Sequence, residues 1–578
     1  MWNQLTIASA ALWGLTIPAV KATYTPSIHS RQSSNASTIS WSACPDSSNT
    51  QCAIFEVPMD YTNPENGKTV SIFMRKYAAT APEDQRLGSI LVNPGGPGGS
   101  GTVTIAEQGE DVSTLVDGRY DIIGFDPSLT LSSNMQGAPF PHVGGAGEVA
   151  HVAKLSAIQS THPKACTQNG NHDMLTNSGT VAVVKDMERI VQALGEDGLN
   201  YLGFSYGSIL GATFAAMRPH LVKRMVLDGV SDAEAYYNNV LEWGRSSMQG
   251  THKAIAGFVS TCIEAGPTEC ALAVGKDNKT ETVEGLTKRI DALYTKLGKE
   301  PLVVGDSATG PGIIRGNDLQ SMIFSLAYSP KYWKSQGQML AALENGDGRD
   351  YYPALNSQNV FNRSMQRSGS RETLYPILCG DSSPLNFTVE EYAGYFREMS
   401  QINSVAEQWA LLVGGAAAGH SVQLRDILGR GLSRRGLKRL VRFPILLVGQ
   451  DADPVTPLSS AVKMNKAFGN DSSTLLVQKG FGHPSISHPS LCTVKNVHDY
   501  FVNGIVPKNG THCTPEYASY ISFFPCTETR LQPRPGYIYP TNSTRSKRSA
   551  LSKRDAKLLE AVERLGLRHA RSGMIPGI

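Results

Sequence analysis

The sequence of 578 residues lacks several features that point to other classes of protein. Its formal net charge of +3 is close to neutral for this length and gives no electrostatic argument for binding nucleic acid or an anionic membrane. Beyond the amino-terminal segment, no run approaches the roughly 20 apolar residues of a transmembrane helix. We therefore expect neither nucleic acid nor a membrane as a partner.

Signatures of nucleotide and metal binding are also missing. The glycine-rich segment at residues 93–101 is not followed by the Lys-Ser or Lys-Thr of a phosphate-binding loop. None of the close cysteine pairs has C-x2-C spacing with a matching His or Cys pair, as zinc sites do. We therefore expect chemistry that requires no metal and no cofactor.

A short apolar strand near residue 200 runs into the pentapeptide GFSYG at residues 203–207 and then into a stretch rich in Ala and Leu. This order of strand, turn and helix is the setting of the G-x-S-x-G nucleophile elbow. A serine hydroxyl is a weak nucleophile at neutral pH, so the turn must expose it to a histidine, and the glycines let the turn tighten. The motif predicts that Ser205 is a nucleophile.

Upstream of this motif, an apolar strand at residues 89–93 breaks into the loop PGGPGGSG. Such a loop can turn backbone N–H groups toward an oxygen that becomes negative during acyl transfer. We expect one N–H from Gly95 or Gly96 and a second from Tyr206, which follows the nucleophile. The loop is thus a predicted oxyanion hole.

Two later strands end in candidate partners of the serine, in the order acid and then histidine. The first ends in a turn with two aspartates. Asp453 is preferred as the acid because it directly precedes the turn PVTP, and Asp451 is the alternative. The second strand ends in a glycine loop with His483, the predicted general base, and His488 is its alternative.

These motifs resemble the tripeptidyl and prolyl aminopeptidase branch of the α/β-hydrolase superfamily, with a carboxyl-terminal segment similar to that of tripeptidyl aminopeptidase. The resemblance covers most of residues 44–526 and implies an α/β-hydrolase fold with a mostly helical cap inserted in the core. It also implies a Ser205, His483 and Asp453 triad with an acyl-enzyme. Where relatives show Asp-Pro-Arg-Gly, this chain reads DPSLTLS from Asp126, a difference that concerns substrate range more than chemistry.

The order of the motifs predicts how the chain is organised. Amphipathic stretches at 282–297 and 389–412 favour a helical cap that forms a lid and sets specificity. The tail is polar and basic, with dibasic pairs at 547–548 and 553–554, and is expected to be flexible or a processing site. The expected parts are a signal peptide at 1–22, core at 23–230, cap at 231–439, core at 440–530 and a flexible basic tail at 531–578.

Targeting signals, cysteines and sequons favour secretion. Residues 5–20 are apolar and precede small residues that a signal peptidase reads, so the mature chain is expected to start near Thr23. The nine cysteines predict three disulfides, Cys44–Cys52, Cys262–Cys270 and Cys492–Cys513. Cys166, Cys379 and Cys526 are left over, and because the total is odd at least one cysteine has no partner in the chain. Seven sequons suit a eukaryotic secretory route: Asn35, Asn278, Asn362, Asn386, Asn470, Asn509 and Asn542.

The triad does not define which acyl bond is cut. The family resemblance implies release of short peptides or proline from a free amino terminus, which would need acidic groups in the cap to pair with the ammonium. Asp232, Glu234 and Glu242 are the candidates. The alternative is an esterase or amidase acting on small molecules, such as a tailoring hydrolase of a biosynthetic pathway. A catalytically inactive binding protein would require a broken triad.

Overall fold

The computed structural model describes residues 38–127, 149–157, 172–275, 279–355, 370–410, 440–515 and 551–572, apart from isolated positions. Its strands are β1 (Ser42–Cys44), β2 (Ser47–Pro58), β3 (Thr69–Tyr77), β4 (Ser89–Asn93), β5 (Asp121–Asp126), β6 (Leu199–Phe204), β7 (Val222–Asp228), β8 (Leu302–Val304), β9 (Gly312–Ile314), β10 (Ile445–Ala452), β11 (Ser473–Phe481) and β12 (Thr511–Cys513). Ten of them form one sheet in the order β1-β2-β3-β5-β4-β6-β7-β10-β11-β12.

The sheet is antiparallel at one edge and parallel elsewhere. Neighbours from β1 through β3 to β5 are antiparallel, and those from β5 to β12 are parallel. Every residue of β4 and β6 is buried, as expected for parallel strands covered on both faces. Because parallel strands end at one edge, the loops after β4, β6, β10 and β11 meet there.

Helices cover both faces of the sheet. They are α1 (Gly101–Leu115), α2 (His172–Asn177), α3 (Thr180–Ala193), α4 (Tyr206–Met217), α5 (Ala233–Asn238), α6 (Val240–Ser247), α7 (Thr251–Ala265), α8 (Val283–Lys299), α9 (Gly316–Tyr328), α10 (Trp333–Glu344), α11 (Ser370–Asp381), α12 (Val389–Ile402), α13 (Leu458–Phe468), α14 (Leu491–Val502) and α15 (Lys553–Ser572). One face carries α1, α14 and α15, and the other carries α3, α4 and α13. None of the described helices combines the length and the apolar character needed to cross a bilayer.

Most described residues between β7 and β10 lie in helices α5 to α12, beside the short antiparallel pair of β8 and β9. Their buried side chains form one continuous apolar cluster with the face of the core that carries α3, α4 and α13. The amphipathic stretch at 282–297 is α8. The stretch at 389–412 is helical as α12 only to Ile402, because Asn403 is extended.

The carboxyl-terminal segment differs from the expected flexible tail. Residues Lys553–Ser572 form α15, which packs along α1 and α14. Arg564 of α15 pairs with the buried Asp111 of α1 at 2.8 Å. The expectation was wrong for this segment because apolar residues at i, i+4 and i+7 give a highly charged sequence one buried face. They are Leu558, Val562 and Leu565.

Three disulfides connect cysteines of the described ranges, and they are the pairs expected from the sequence, with Cα–Cα distances of 5.0, 5.4 and 5.4 Å. Cys379 on α11 is a buried thiol. Asn470 and Asn509 are exposed. The remaining expectations concern residues outside the described ranges: the signal peptide with Thr23, the dibasic pair at 547–548, Cys166, Cys526, Asn35, Asn278, Asn362, Asn386 and Asn542.

Candidate active site

Ser205 lies on a strained turn between β6 and α4. Its backbone has φ 57° and ψ −120°, a left-handed conformation that residues with a Cβ rarely adopt. The flanking glycines permit the tight approach, since a Cβ on Gly203 would lie 2.5 Å from the carbonyl oxygen of Gly207. This geometry presents the serine at the carboxyl edge of the sheet, as a nucleophile elbow does.

The glycine-rich loop after β4 lies directly against this turn. A Cβ on Gly95, whose φ is 105°, would come within 2.8 Å of the Ser205 Cβ. The Gly95 N–H already donates to the Asn93 side chain at 3.0 Å, whereas Gly96 N–H donates to no described residue. Tyr206 is the first residue of α4, where helix N–H groups lack intrahelical acceptors. Gly96 and Tyr206 therefore offer the two available donors.

Asp453 is buried after β10 and makes four hydrogen bonds. Its Oδ1 accepts the N–H groups of Val455 and Thr456 at 2.9 and 2.8 Å. Its Oδ2 accepts from Thr456 Oγ1 at 2.8 Å and contacts His483 Nδ1 at 2.7 Å. The backbone donors fix the orientation of the carboxyl group, so that Oδ2 faces Nδ1 and can hold the tautomer whose proton lies on Nδ1.

The histidine loop is held by the cap and by the strand that follows the elbow. His483 N–H donates to the Tyr328 carbonyl at 2.9 Å, and the two rings meet edge to face at 5.5 Å. A Cβ on Gly229 would lie 3.0 Å from His483 Cε1, so only glycine fits between β7 and the imidazole. The last residue of α9 therefore takes part in placing the histidine, which the sequence alone did not indicate.

The two alternatives are placed elsewhere. Asp451 faces solvent and contacts Lys253 at 3.3 Å. His488 is buried, and its Nδ1 accepts the Phe481 N–H at 3.3 Å. Burial, with a smaller effect of nearby Lys331, lowers the pKa of His488 to about 3, so its ring stays neutral. The structure therefore brings Asp453 and His483 together and leaves Asp451 and His488 apart from that contact.

Asp228, at the end of β7, ties the elbow to the histidine loop. Its carbonyl accepts the Ser205 N–H at 2.9 Å, and its carboxylate accepts the N–H and Oγ of Ser485 at 3.0 and 2.6 Å. Burial raises the pKa of Asp228 to about 6. Ser205 Oγ itself donates to no described residue. Such catalytic hydrogen bonds often shorten only when substrate binds.

A second acid, which is half-buried, connects the cap to the residue after the nucleophile. Asp381, on α11, accepts the Thr180 N–H at 2.8 Å and the Tyr236 hydroxyl at 2.9 Å. Thr180 Oγ1 also donates to Asp381 and meets the Tyr206 hydroxyl. Burial raises the pKa of Asp381 to about 6. This chain of hydrogen bonds fixes the ring of Tyr206, and no motif in the sequence pointed to it.

A cavity opens beside the glycine-rich loop. Gly95 and Tyr206 line its end near the elbow, and Asp186 of α3 lines it as well. Tyr61 donates a hydrogen bond of 2.6 Å to Asp186 Oδ1, and burial raises the pKa of this carboxyl to about 7. Most of the remaining wall is apolar, with side chains that include Pro58, Met59, Val70, Ala182, Val183, Leu210 and Ile377.

The three cap carboxylates predicted to bind a substrate amine already have cationic partners. Lys463 Nζ lies 2.7 Å from Asp232 and 3.4 Å from Glu234. Asp232 also caps α5 by accepting the Ala235 N–H at 3.1 Å. Glu242 contacts Arg245 at 3.4 Å and is half exposed. Lys463 is shared by Asp232 and Glu234, and Arg245 also pairs with Glu398, so these contacts leave negative charge in place and the role of the three residues as an amine site stays a prediction.

Comparisons with known proteins agree with this geometry. A family model described as "alpha/beta hydrolase fold" matches residues 88–251, and one described as "TAP-like protein" matches 432–513. Serine protease Hip1 of Mycobacterium tuberculosis is 26% identical over 513 residues, covering 82% of this chain and 91% of the relative. Tripeptidyl aminopeptidase of Streptomyces lividans is 25% identical over 490 residues, with coverages of 80% and 84%.

Carboxylesterase B of Mycobacterium tuberculosis is 26% identical over 555 residues, covering 89% of this chain and 99% of the relative. Among solved structures, a hydrolase from Pseudomonas aeruginosa aligns with a TM-score of 0.30 at 12% identity, covering 82% of this chain and all of that one. The chain has the α/β-hydrolase fold and is a serine hydrolase. Within that superfamily it resembles the tripeptidyl aminopeptidase branch.

Proposed function

We propose that the chain is a secreted serine aminopeptidase that releases short peptides or proline from free amino termini through an acyl-enzyme. The contact of 2.7 Å between the buried Asp453 carboxylate and His483 Nδ1 carries the proposal. With Nδ1 as the donor to Asp453, the other ring nitrogen, Nε2, is the one that can accept the Ser205 proton. Secretion is supported by the three disulfides.

In the proposed reaction, Ser205 Oγ attacks the carbonyl carbon while His483 accepts its proton and Asp453 stabilises the resulting imidazolium. The Gly96 and Tyr206 N–H groups bind the oxyanion, each worth about 3 to 4 kcal/mol in comparable sites. Gly96 is preferred over Gly95 because the Gly95 N–H already donates to Asn93. The C–N bond then breaks as His483 protonates the leaving amine, and water hydrolyses the acyl-enzyme by the same steps in reverse.

Two observations favour a peptide substrate. The relatives named as a serine protease and a tripeptidyl aminopeptidase align over four fifths of the chain. The cavity beside the glycine-rich loop also contains a buried carboxylate, which an apolar ester does not need. The second candidate, an esterase acting on small molecules, is favoured by the apolar residues of the same cavity and by the likeness to carboxylesterase B.

The test compares hydrolysis of a peptide anilide that has a free amino terminus with that of its N-acetylated twin. If a carboxylate holds the ammonium, acetylation leaves that charge unpaired and lowers kcat/KM by about 30-fold to several thousand-fold. Ser205→Ala should abolish hydrolysis and fluorophosphonate labelling at an unchanged melting temperature. Equal rates for the two peptides, or activity on esters alone, would refute the aminopeptidase and leave the esterase.

A further inference from the structure

The walls of the cavity beside the glycine-rich loop contain two carboxylates and, among the described residues, no Lys, Arg or His. Asp126 is fully engaged at the start of α1, where it accepts from Ser100 Oγ and from the N–H and Oγ1 of Thr102. Asp186 accepts one hydrogen bond, from Tyr61 on Oδ1, and no described residue donates to its Oδ2. One carboxylate oxygen in a mostly apolar cavity therefore has no donor among the described residues.

The position of Asp186 on its helix relates it to the elbow. Gly179, Ala182, Val183 and Asp186 lie on the face of α3 that borders the cavity. This helix begins at the side chain of Tyr206, the residue after Ser205, because Thr180 Oγ1 meets the Tyr206 hydroxyl. Seven residues of α-helix span about 10 Å, and three residues of extended peptide also span about 10 Å. A peptide of about three residues can therefore place its amino group at Asp186 while its carbonyl lies near the elbow.

We propose that Asp186 binds the protonated α-amino group of the substrate, and that the cavity between it and Tyr206 holds the apolar side chains of about three amino-terminal residues. The proposal rests on the proposed aminopeptidase function and replaces Asp232, Glu234 and Glu242 as the amine site. A buried carboxylate whose second oxygen lacks a donor is stabilised by an ammonium group. The Tyr61 hydroxyl holds the other oxygen in place.

Burial raises the pKa of Asp186 to about 7 in the free protein, which shows how costly the unpaired charge is there. The nearest cation that affects it, Arg189, is exposed and forms no ion pair with it among the described residues. A substrate ammonium is thus the partner that the site lacks. A lysine side chain has the same chemistry, so the experiment must distinguish these two sources of an ammonium.

The test uses alanine anilides with one, two or three residues, each free and acetylated, together with an acetylated anilide that carries a lysine, against the wild type and two variants. Asp186→Asn keeps the size of the side chain and removes the charge. Glu188→Gln is the matched control, since Glu188 lies on the same helix but pairs with Arg218 at 2.8 Å and does not line the cavity. Melting temperature and fluorophosphonate labelling of Ser205 report whether each variant is folded and active at the serine.

We expect Asp186→Asn to lower kcat/KM for the free three-residue anilide by at least about 30-fold and to change the acetylated twin by less than about twofold. The wild type should prefer three residues over one, and Glu188→Gln should match the wild type. If Asp186→Asn does not fold, Asp186→Ser gives a second, smaller neutral variant.

Three outcomes would overturn the proposal in distinguishable ways. A wild type that prefers free amines, with the preference retained in Asp186→Asn, refutes the assignment of Asp186 alone. A wild type without any preference refutes the aminopeptidase function and the amine site together. A fall in kcat/KM of Asp186→Asn that is confined to acetylated peptides carrying a lysine would show that the cavity binds a side-chain ammonium instead.

Discussion

Replacing Asp453 with asparagine is expected to remove most of the activity while leaving the nucleophile and the base in place. Oδ1 of Asp453 accepts two backbone N–H groups, from Val455 and Thr456, and Oδ2 faces His483 Nδ1. An amide that keeps both backbone hydrogen bonds must put its oxygen at the Oδ1 position. Its NH2 group then faces Nδ1, the ring proton moves to Nε2, and Nε2 no longer accepts a proton from Ser205.

The expected loss follows from this tautomer change. The same substitution in the type case of the triad lowers kcat about 10⁴-fold, which corresponds to about 5 kcal/mol of transition-state stabilisation. We expect a similar fall in kcat for a peptide anilide and slower phosphonylation of Ser205. The melting temperature should change little because the hydrogen bonds to Oδ1 remain.

Asp451→Asn is the matched control because it removes a charge two residues away. Its carboxylate is exposed and, within the described part of the chain, contacts only Lys253 at 3.3 Å, and such surface pairs contribute about 0 to 1 kcal/mol. We expect less than about a twofold change in kcat. A mild effect of Asp453→Asn together with a severe effect of Asp451→Asn would show that the acid has been assigned wrongly.

Three further predictions concern the oxyanion loop, the buried Asp186 and the processing of the secreted protein. Gly95→Ala should lower kcat about 100-fold or more, because its Cβ would lie 2.6 Å from the Phe204 carbonyl oxygen and would displace the oxyanion loop. Gly298→Ala, in open space on α8, should leave kcat unchanged. Equal effects of the two substitutions on kcat would contradict this prediction. Because burial raises the pKa of Asp186 from 3.8 to about 7, its proton binds the folded state more tightly, so the free energy of unfolding should fall as pH rises from about 4 to about 7, by at most about 4 kcal/mol. Denaturant unfolding across this range should show a shallower slope in Asp186→Asn than in the wild type, because Asp228 and Asp381, whose pKa values burial raises to about 6, contribute in both proteins. Peptide mapping of secreted protein without reduction should find Cys262–Cys270 as a disulfide and a mature terminus near Thr23, and free thiols at that pair would contradict the pairing.

Much of the site was predictable because its parts follow continuous apolar strands. Ser205, Asp453 and His483 each come just after such a run, and parallel strands end at one edge of a sheet. The choice of Asp453 over Asp451 also followed from its place directly before the turn PVTP. The choice between Gly95 and Gly96 needed the structure, because it depends on the side chain of Asn93.

Other parts depend on contacts between distant residues that no local pattern contains. Asp232 looked available for a substrate amine, yet its partner Lys463 lies 231 residues further along the chain. Asp186, Asp228 and Asp381 are single acids without a surrounding motif. Each is important only because the fold places it beside the elbow, the cavity or the histidine loop, with Asp186 and Asp228 buried and Asp381 half-buried.

The packing of α15 on α1 has a consequence for the order in which the protein is completed. Helix α1 ends at Leu115, and α15 covers the apolar face of the core on that side. The covering side chains are Leu558, Val562 and Leu565. At ~5–20 residues per second, the roughly 440 residues between the two helices take on the order of 20 to 90 seconds to synthesise. During that time this apolar face of an early helix has no cover from its own chain. An early part of the core is thus completed by residues that are made much later, and loss of α15 should be harmful first at α1, during biogenesis.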